Sequence, residues 1–136
     1  MRGKVEDLPM TVGDYCAEVL QLFFTPNHVG EPDPTVGDVL RGEAEALDRM
    51  AWVVLGAACR DGLVTQARFR AWGCPHLLAA CELTAGQLEG RRVEELARFS
   101  LPELADRLRV PAEKYGRLLV IEDALLALAA SARSRG

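Results

Sequence analysis

The feature that most constrains this chain is a β-hairpin that runs directly into a helix. An apolar run over residues 51–59 is followed by Asp61-Gly62 and then by a second run over residues 63–72. An Asp-Gly pair between two such runs is among the strongest hairpin signals. Alternation gives the second strand two distinct faces. The apolar face carries Leu63, Ala67, Phe69 and Ala71, and the opposite face carries Arg68, Arg70 and Trp72.

The hairpin ends in Gly73-Cys74-Pro75, which predicts a sharp turn into a helix. Proline suits the first helical position because its missing N–H would have no partner there. Cys74 is then the N-cap, at the positive end of the helix dipole. Thiolates are favoured in such places, so Cys74 is a candidate metal ligand or sulfur carrier.

The residues before the hairpin predict a helix followed by a loop. Thr11-Val12-Gly13-Asp14 has the spacing of a capping box, and the apolar residues of the next two turns share one face until Pro26 and Gly30 end the helix. Residues 31–50 contain six acidic residues against two arginines, together with several prolines and glycines. We interpret 31–50 as a solvated acidic loop, with an acidic docking loop for a basic partner as the alternative.

The residues after the hairpin predict three helices. The first runs from Cys74 to about Glu89 and is stopped by Gly90, and Ser100 opens a short second helix through a capping-box pattern. Pro111 starts the last helix, whose buried stripe is Leu118, Ile121, Leu125 and Leu128. We expect residues 132–136 to be frayed. The fold class is therefore α+β, a single domain over 1–136 with an N-terminal helix, a small antiparallel sheet containing a hairpin at about 51–72, and C-terminal helices packed on the sheet.

Composition excludes several classes of function. The 136 residues are 49% hydrophobic and carry a net charge of −4, which argues against a general nucleic-acid or anionic-membrane binder. The amino terminus has no apolar run typical of a signal peptide, and no stretch is long enough to span a bilayer. Four cysteines with no CxxC pair indicate reduced thiols, so we expect a cytoplasmic protein.

The remaining candidate residues for chemistry are few. No nucleophile elbow, zinc-protease motif or phosphate-binding loop is present. We interpret His28 as a polar turn residue. For His76 we favour a structural role over that of a metal ligand, and over that of the base for a nucleophilic Cys74. Cys81 lies about 10 Å along the helix from Cys74 at 1.5 Å per residue, too far to share a small cluster. Burial in the core best explains Cys16, Cys59 and Cys81.

The ordered motifs resemble the IscU/NifU N-terminal family of iron–sulfur cluster assembly scaffolds. Pro26-x2-Val29-Gly30 is similar to the turn after that family's first helix, and Trp72-Gly73-Cys74 to its Tyr-Gly-Cys ligand segment. Val110-Pro111-x2-Lys114 resembles its Leu-Pro-Pro-Val-Lys motif, and Glu122-Asp123-Ala124 lies in the helix that follows. The resemblance covers nearly the whole chain and implies the same α+β fold.

This chain departs from the family at the ligands themselves. The family uses three cysteines and an aspartate, and only the middle cysteine, Cys74, is retained. Its Cys-Gly-Asp-Val segment falls on Asp48-Arg49-Met50-Ala51, which puts Asp48 in the place of the first cysteine. The alternative register, Val36-Gly37-Asp38-Val39, needs a long insertion before the strand. Arg117 stands in the place of the third cysteine.

The resemblance implies an iron–sulfur assembly scaffold-like protein without catalytic activity of its own, a degenerate paralogue whose site is centred on Cys74. Asp48 and His76 are further candidate metal ligands, and Arg117 supplies a charge near the site. Iron or an iron–sulfur cluster is carried transiently, or no cofactor is bound. The partner is a cysteine desulfurase or another assembly protein, and a homodimer would pair two Cys74 thiols. The alternative is a non-catalytic binding or regulatory module that keeps the fold and binds no cluster.

Overall fold

The computed structural model describes residues 11–12 and 15–135 of the chain. Five strands and four helices occur within those residues, joined in places by single turns of 3-10 helix. The strands are β1 (Thr11–Val12), β2 (Tyr15–Cys16), β3 (Asp38–Glu45), β4 (Trp52–Arg60) and β5 (Leu63–Trp72). The helices are α1 (Ala17–Phe24), α2 (Pro75–Leu88), α3 (Leu101–Arg107) and α4 (Tyr115–Arg135).

The predicted hairpin is confirmed as β4 and β5, the centre and one edge of an antiparallel sheet of order β3-β4-β5. The predicted apolar face of β5 is confirmed from residue 67 onward, where Ala67 and Phe69 are buried. The placement of Leu63 on the apolar face is wrong, because a β-bulge sets Cys59 opposite Val64 while Ala58 pairs with Gln66. The extra residue inverts the alternation, so Val64 is buried and Leu63 is 41% exposed.

The expected acidic loop over residues 31–50 is corrected by the structure, since β3 occupies residues 38–45 within it. β3 pairs with β4 over its whole length. Its inward positions are Leu40, Gly42 and Ala44, and its charged residues point outward. A Cβ on Gly42 would lie 2.2 Å from the Ala124 carbonyl oxygen of α4, so only glycine lets the helix approach this closely.

The predicted capping box before the first helix is also wrong. Thr11–Val12 pairs with Tyr15–Cys16 as a small antiparallel ladder, and Cys16 is the N-cap of α1 without a side-chain capping bond. Gly13 and Asp14 lie outside the described residues. The helix itself is confirmed, and it ends at Phe24, two residues before Pro26.

The C-terminal helices follow the sequence prediction closely. The Ser100 hydroxyl accepts a hydrogen bond from the Glu103 N–H (3.3 Å) and caps α3. The buried stripe of α4 is confirmed, although Pro111 leads first into a 3-10 turn and α4 begins at Tyr115. The expected fraying over 132–136 is corrected, because α4 continues to Arg135. Of these five residues, Gly136 lies outside the described part of the chain.

The hydrophobic core lies between the inner face of the sheet and the layer of α2 and α4. The α+β class with helices packed on an antiparallel sheet is therefore confirmed. None of the described helices is both long and apolar enough to cross a membrane.

Candidate functional site

Cys74 lies where β5 gives way to α2, as the sequence predicts. Its backbone is extended (φ −76°, ψ 164°), and it is the N-cap residue of α2 with Pro75 at the first helical position. Its side chain is half-buried and makes no capping hydrogen bond. Gly73 permits the tight turn, because a Cβ there would lie 2.5 Å from Leu77 Cδ2. The thiol is thus held at a rigid junction without being used to cap the helix.

The turn between β3 and β4 lies at the same end of the sheet as Cys74. Glu45 pairs with Trp52, and Trp52 pairs with Trp72, so residues 46–51 project beside the β5–α2 junction. The Met50 carbonyl oxygen lies 3.5 Å from the position that a Gly73 Cβ would take. The antiparallel topology therefore brings the β3–β4 turn beside Gly73, the residue before Cys74.

The turn has a fixed shape. The Asp48 carboxylate accepts a hydrogen bond from the Met50 N–H (2.9 Å), and Ala46 N–H donates to the Ala51 carbonyl oxygen (2.8 Å). Arg49, which lies between Asp48 and Met50, has φ 61°, in the left-handed region that glycine adopts most readily.

Asp48 and Arg117 line one surface cleft, although 69 positions separate them in the chain. This cleft, about 580 Å³ in volume, lies between the β3–β4 turn and the start of α4. Glu45, Glu113 and Asp123 are also among its lining residues, and Cys74 is not. Arg117 therefore shares this cleft with four acidic residues.

His76 lies in the core. Its side chain is fully buried and its ring centroid is 4.7 Å from that of Tyr15. The Lys114 ammonium lies 5.1 Å from the Tyr15 ring centroid, within the range of a cation–π contact. The structure thus places His76 in an aromatic contact that joins α2 to β2, apart from the surface on which Asp48 is exposed.

Asp38, the residue of the alternative register, lies at the opposite end of the sheet. It pairs with Cys59 at the first position of β3. Glu45 lies seven positions further along the strand, which is about 23 Å at 3.3 Å per residue. Of the two aspartates, Asp48 alone shares the end of the sheet that carries Cys74.

The other cysteines differ from Cys74 in their surroundings. Cys81 is fully buried, and burial together with the nearby Glu82 strongly raises the pKa of its thiol. Burial and the Asp38 carboxylate raise the pKa of Cys59 as well. The Cys16 thiol donates to the Leu108 carbonyl oxygen at 3.5 Å. All four cysteines are free.

The described residues do not form a complete metal centre. Nowhere in residues 11–12 and 15–135 do three histidine, cysteine, aspartate or glutamate side chains group so as to hold a metal ion. Iron–sulfur clusters are held by thiolates and usually need four ligands. Cys74 and Asp48 would supply at most part of such a set.

Large apolar side chains are exposed around the Cys74 end, a feature that sequence reasoning missed. Leu47 is fully exposed, and Met50, Trp72 and Leu119 are 44%, 57% and 41% exposed. Of these, the outward position of Trp72 alone follows from strand alternation. The others belong to a turn and to a helix face with no local signal of exposure. Together they give the end of the molecule that carries the half-buried Cys74 a large exposed apolar area.

This architecture, with a cysteine at the junction of an edge strand and a helix, defines an α+β domain of the NifU type. The chain belongs to the family described as the NifU-like N terminal domain, whose model matches residues 14–134.

Curated relatives span most of the chain. It is 26% identical over 127 residues to the "iron-sulfur cluster assembly enzyme IscU" of Drosophila melanogaster, covering 91% of this chain and 80% of that protein. It is 27% identical over 116 residues to the "iron-sulfur cluster assembly scaffold protein IscU" of Azotobacter vinelandii, covering 83% and 89%.

Solved structures show the same fold at low sequence identity. A scaffold protein assigned to the SUF system of Fervidobacterium islandicum aligns with a TM-score of 0.60 and 13% identity, over 82% of this chain and 93% of that one. A NifU-like N-terminal protein from Brucella abortus aligns with a TM-score of 0.54 and 17% identity, over 85% and 90%.

Proposed function

We propose that this protein is an iron–sulfur cluster assembly scaffold-like protein with a degenerate site centred on Cys74. The observation that carries the proposal is the position of Cys74, a half-buried thiol at a fixed strand-to-helix junction without a capping role. Its family membership and the names of its curated relatives support a role in iron–sulfur cluster assembly. It acts through partner proteins and performs no catalysis of its own.

The geometry of the β3–β4 turn supports the register that puts Asp48 in the place of the family's first cysteine. In that register Arg49 takes the place of the glycine, and its φ of 61° is a conformation that favours glycine. The turn also lies beside Gly73. Asp48 is therefore our candidate for an oxygen ligand near Cys74.

The incomplete ligand set supports transient rather than stable carriage of iron or a cluster. Arg117, in the place of the third cysteine, cannot ligate a metal, and it lies in a cleft of carboxylates. His76 stays our least favoured candidate ligand because its side chain is fully buried. A second Cys74 from a homodimer would raise the number of thiolates to two.

The surface around Cys74 supports a role that depends on a partner. Leu47, Met50 and Trp72 expose apolar area at the same end as the thiol, and such patches commonly mark protein–protein contacts. A cysteine desulfurase is the partner that the family resemblance implies. Free cysteines are typical of a reducing compartment, which supports residence in the cytoplasm.

Anaerobic reconstitution with iron and sulfide tests the metal-binding part. We expect wild-type protein to develop visible absorption that Cys74→Ala lacks, and Cys59→Ala to behave as wild type because Cys59 lies at the opposite end of the sheet. Identical, featureless spectra for wild type and Cys74→Ala would contradict metal binding at Cys74.

A binding or regulatory module that no longer carries a cluster is the second candidate. The absence of a three-residue metal group among the described residues favours it, as does the apolar surface around Cys74. Such a module would bind purified cysteine desulfurase with equal affinity as wild type and as Cys74→Ala, and Trp72→Ala would weaken binding. Failure of wild type to bind the desulfurase would count against both candidates.

A further inference from the structure

Helix α4 presents a second face to solvent, besides the buried stripe that packs on the sheet. Five exposed residues at spacings of three and four share this face, because 3.6 residues make one helical turn. They are Leu119, Glu122, Leu126, Ala130 and Arg133. Leu119 is 41% exposed and Leu126 is 54% exposed. We call these five residues the outer face of α4, and it extends about 21 Å along the helix at 1.5 Å per residue.

The charges of the outer face lie in opposite halves of the helix. Glu122 precedes Leu126, with Asp123 beside it, and Arg133 follows Leu126. Among the described side chains, neither Glu122 nor Arg133 forms an ion pair. A helix face with an acid towards one end and a base towards the other is complementary to a copy of itself that runs in the opposite direction.

A twofold axis midway between Glu122 and Arg133 would use this complementarity twice. It sets Glu122 of one copy level with Arg133 of the second copy, and the symmetry repeats the pair on the other side of the axis. Leu126 then lies within about 1.5 Å, along the axis, of the level of Ala130 of the second copy. A parallel pair would instead place like charges opposite each other, which is unfavourable.

We propose that α4 pairs antiparallel with α4 of a second copy of this chain, through the outer face. Leu126 and Ala130 form the apolar centre of the contact, and two Glu122–Arg133 pairs flank it. Leu119 packs on the aliphatic stem of Arg133 at each end. Stable interfaces use about 20–30 residues a side, whereas the outer face supplies five. The dimer is therefore weak and dissociates on dilution.

The antiparallel arrangement keeps the two candidate sites apart. The start of α4 lines the cleft that contains Asp48, at the end of the sheet that carries Cys74. The two Cys74 ends therefore lie at opposite ends of the helix pair, and this dimer supplies no second thiolate to either of them. A homodimer that pairs two Cys74 thiols would need a different contact. The pairing of α4 stands independently of the function proposed for Cys74.

Sedimentation equilibrium of the full chain, from about 10 μM to about 1 mM, tests the pairing. We expect the average mass of wild type to rise with concentration towards that of a dimer. Glu122→Arg and Arg133→Glu should each weaken dimerisation by about tenfold or more, because each places like charges at both levels. Glu103→Arg makes the same charge change as Glu122→Arg on an exposed position of α3, and it should dimerise as wild type does.

Two outcomes of this experiment would overturn the proposal. One is a wild-type protein that stays monomeric at every concentration. The other is a pair of single variants, Glu122→Arg and Arg133→Glu, that dimerise as tightly as the Glu103→Arg control.

An exchange of the two charges separates specific pairing from a change in net charge. The double variant Glu122→Arg/Arg133→Glu keeps the net charge of the chain and restores opposite charges at both levels, so it should dimerise as wild type does. An equimolar mixture of the two single variants should form mixed dimers, because each level again joins an acid and a base. Failure of either restoration would contradict the antiparallel pairing.

A measurement on wild type keeps the test independent of how the variants fold. The amide NMR signals of Leu126 and Ala130 should shift as the protein concentration rises, while those of Glu103 and Cys74 stay constant. Concentration-dependent shifts confined to residues around Cys74 would mean that the copies associate through that end, and would overturn the pairing through α4.

Discussion

The two ends of α2 differ in how their polar side chains are bonded. At the N-terminal end the Cys74 side chain makes no capping hydrogen bond, and large apolar side chains are exposed at the same end of the sheet. In the C-terminal half, Glu82 and Glu89 are fixed by His28, Arg68 and the Ala67 N–H. A helix anchored through its second half can present its first residue at a constant position while leaving that residue available. The contrast agrees with our proposal that the Cys74 end serves binding, while the polar cluster holds α2 to the sheet and to the turn after α1.

The largest effect should come from removing the buried carboxylate. Glu82→Ala leaves the ring and the backbone N–H of His28 without their acceptor in the half-buried turn. We expect a loss of about 3 kcal/mol in the free energy of unfolding, as for other broken buried pairs. Urea denaturation at pH 6 measures it. The exposed Glu103→Ala, on α3, is the control and should change little; comparable losses in the two variants would remove the distinction between the cluster and the surface.

The two cysteines of α2 provide the next comparison. Cys81 is fully buried whereas Cys74 is half-buried. We expect Cys81→Ala to cost about 1 kcal/mol through the lost contacts and the small cavity. Cys74→Ala should cost less than about 0.5 kcal/mol. Thermal or urea unfolding compares them directly, and a larger loss at Cys74 would mean that its role is structural.

Acid should weaken the C-terminal anchor through Glu89. Burial raises the pKa of Glu89, but hydrogen bonds from Ala67, His28 and Arg68, with the charge of His28, outweigh it and leave the pKa below its usual 4.5. A lowered folded-state pKa gives stability that is present above about pH 4.5 and lost as pH falls through the folded value. Unfolding curves from pH 6 to 3 should show a shallower loss for Glu89→Gln than for wild type. Parallel curves for the two proteins would mean that ionised Glu89 does not contribute to the free energy of unfolding.

The smallest effect is expected in the turn beside Cys74. Asp48→Asn keeps an oxygen acceptor for the Met50 N–H but removes the charge of an exposed residue. Stability should change by less than about 0.5 kcal/mol. If Asp48 is an oxygen ligand, the absorption after iron and sulfide reconstitution should still fall. Unchanged absorption in this variant would remove Asp48 from the site while leaving Cys74 in it.

The elements that sequence predicted are those with local signals. The hairpin follows from Asp61-Gly62, the start of α2 from Pro75, and the capped start of α3 from Ser100. β3 was missed because its inward positions include Gly42 and Ala44, which are weak strand formers. At Gly42 a Cβ would collide with the backbone of α4, so the fold requires a residue that strand propensity disfavours.

The candidate site was predictable only in part. Cys74 has a local signature, and Asp48 follows from a register that the antiparallel topology supports. The cluster of His28, Glu82 and Glu89 has no local signature in the sequence, because the two carboxylates lie 54 and 61 residues away from His28. Nor could the burial of His76 be foreseen, since it depends on Tyr15 from another element. Contacts between distant segments need the fold itself.

The most direct test of the site is the rate of alkylation of each cysteine in the folded protein, followed by mass spectrometry under anaerobic conditions. We expect Cys74 to react faster than Cys59 and Cys81, whose thiols have raised pKa values. Added ferrous iron should slow the labelling of Cys74 and leave that of Cys59 unchanged. A Cys74 that reacts no faster than Cys59, or whose labelling iron does not affect, would contradict a metal-carrying site centred on this thiol.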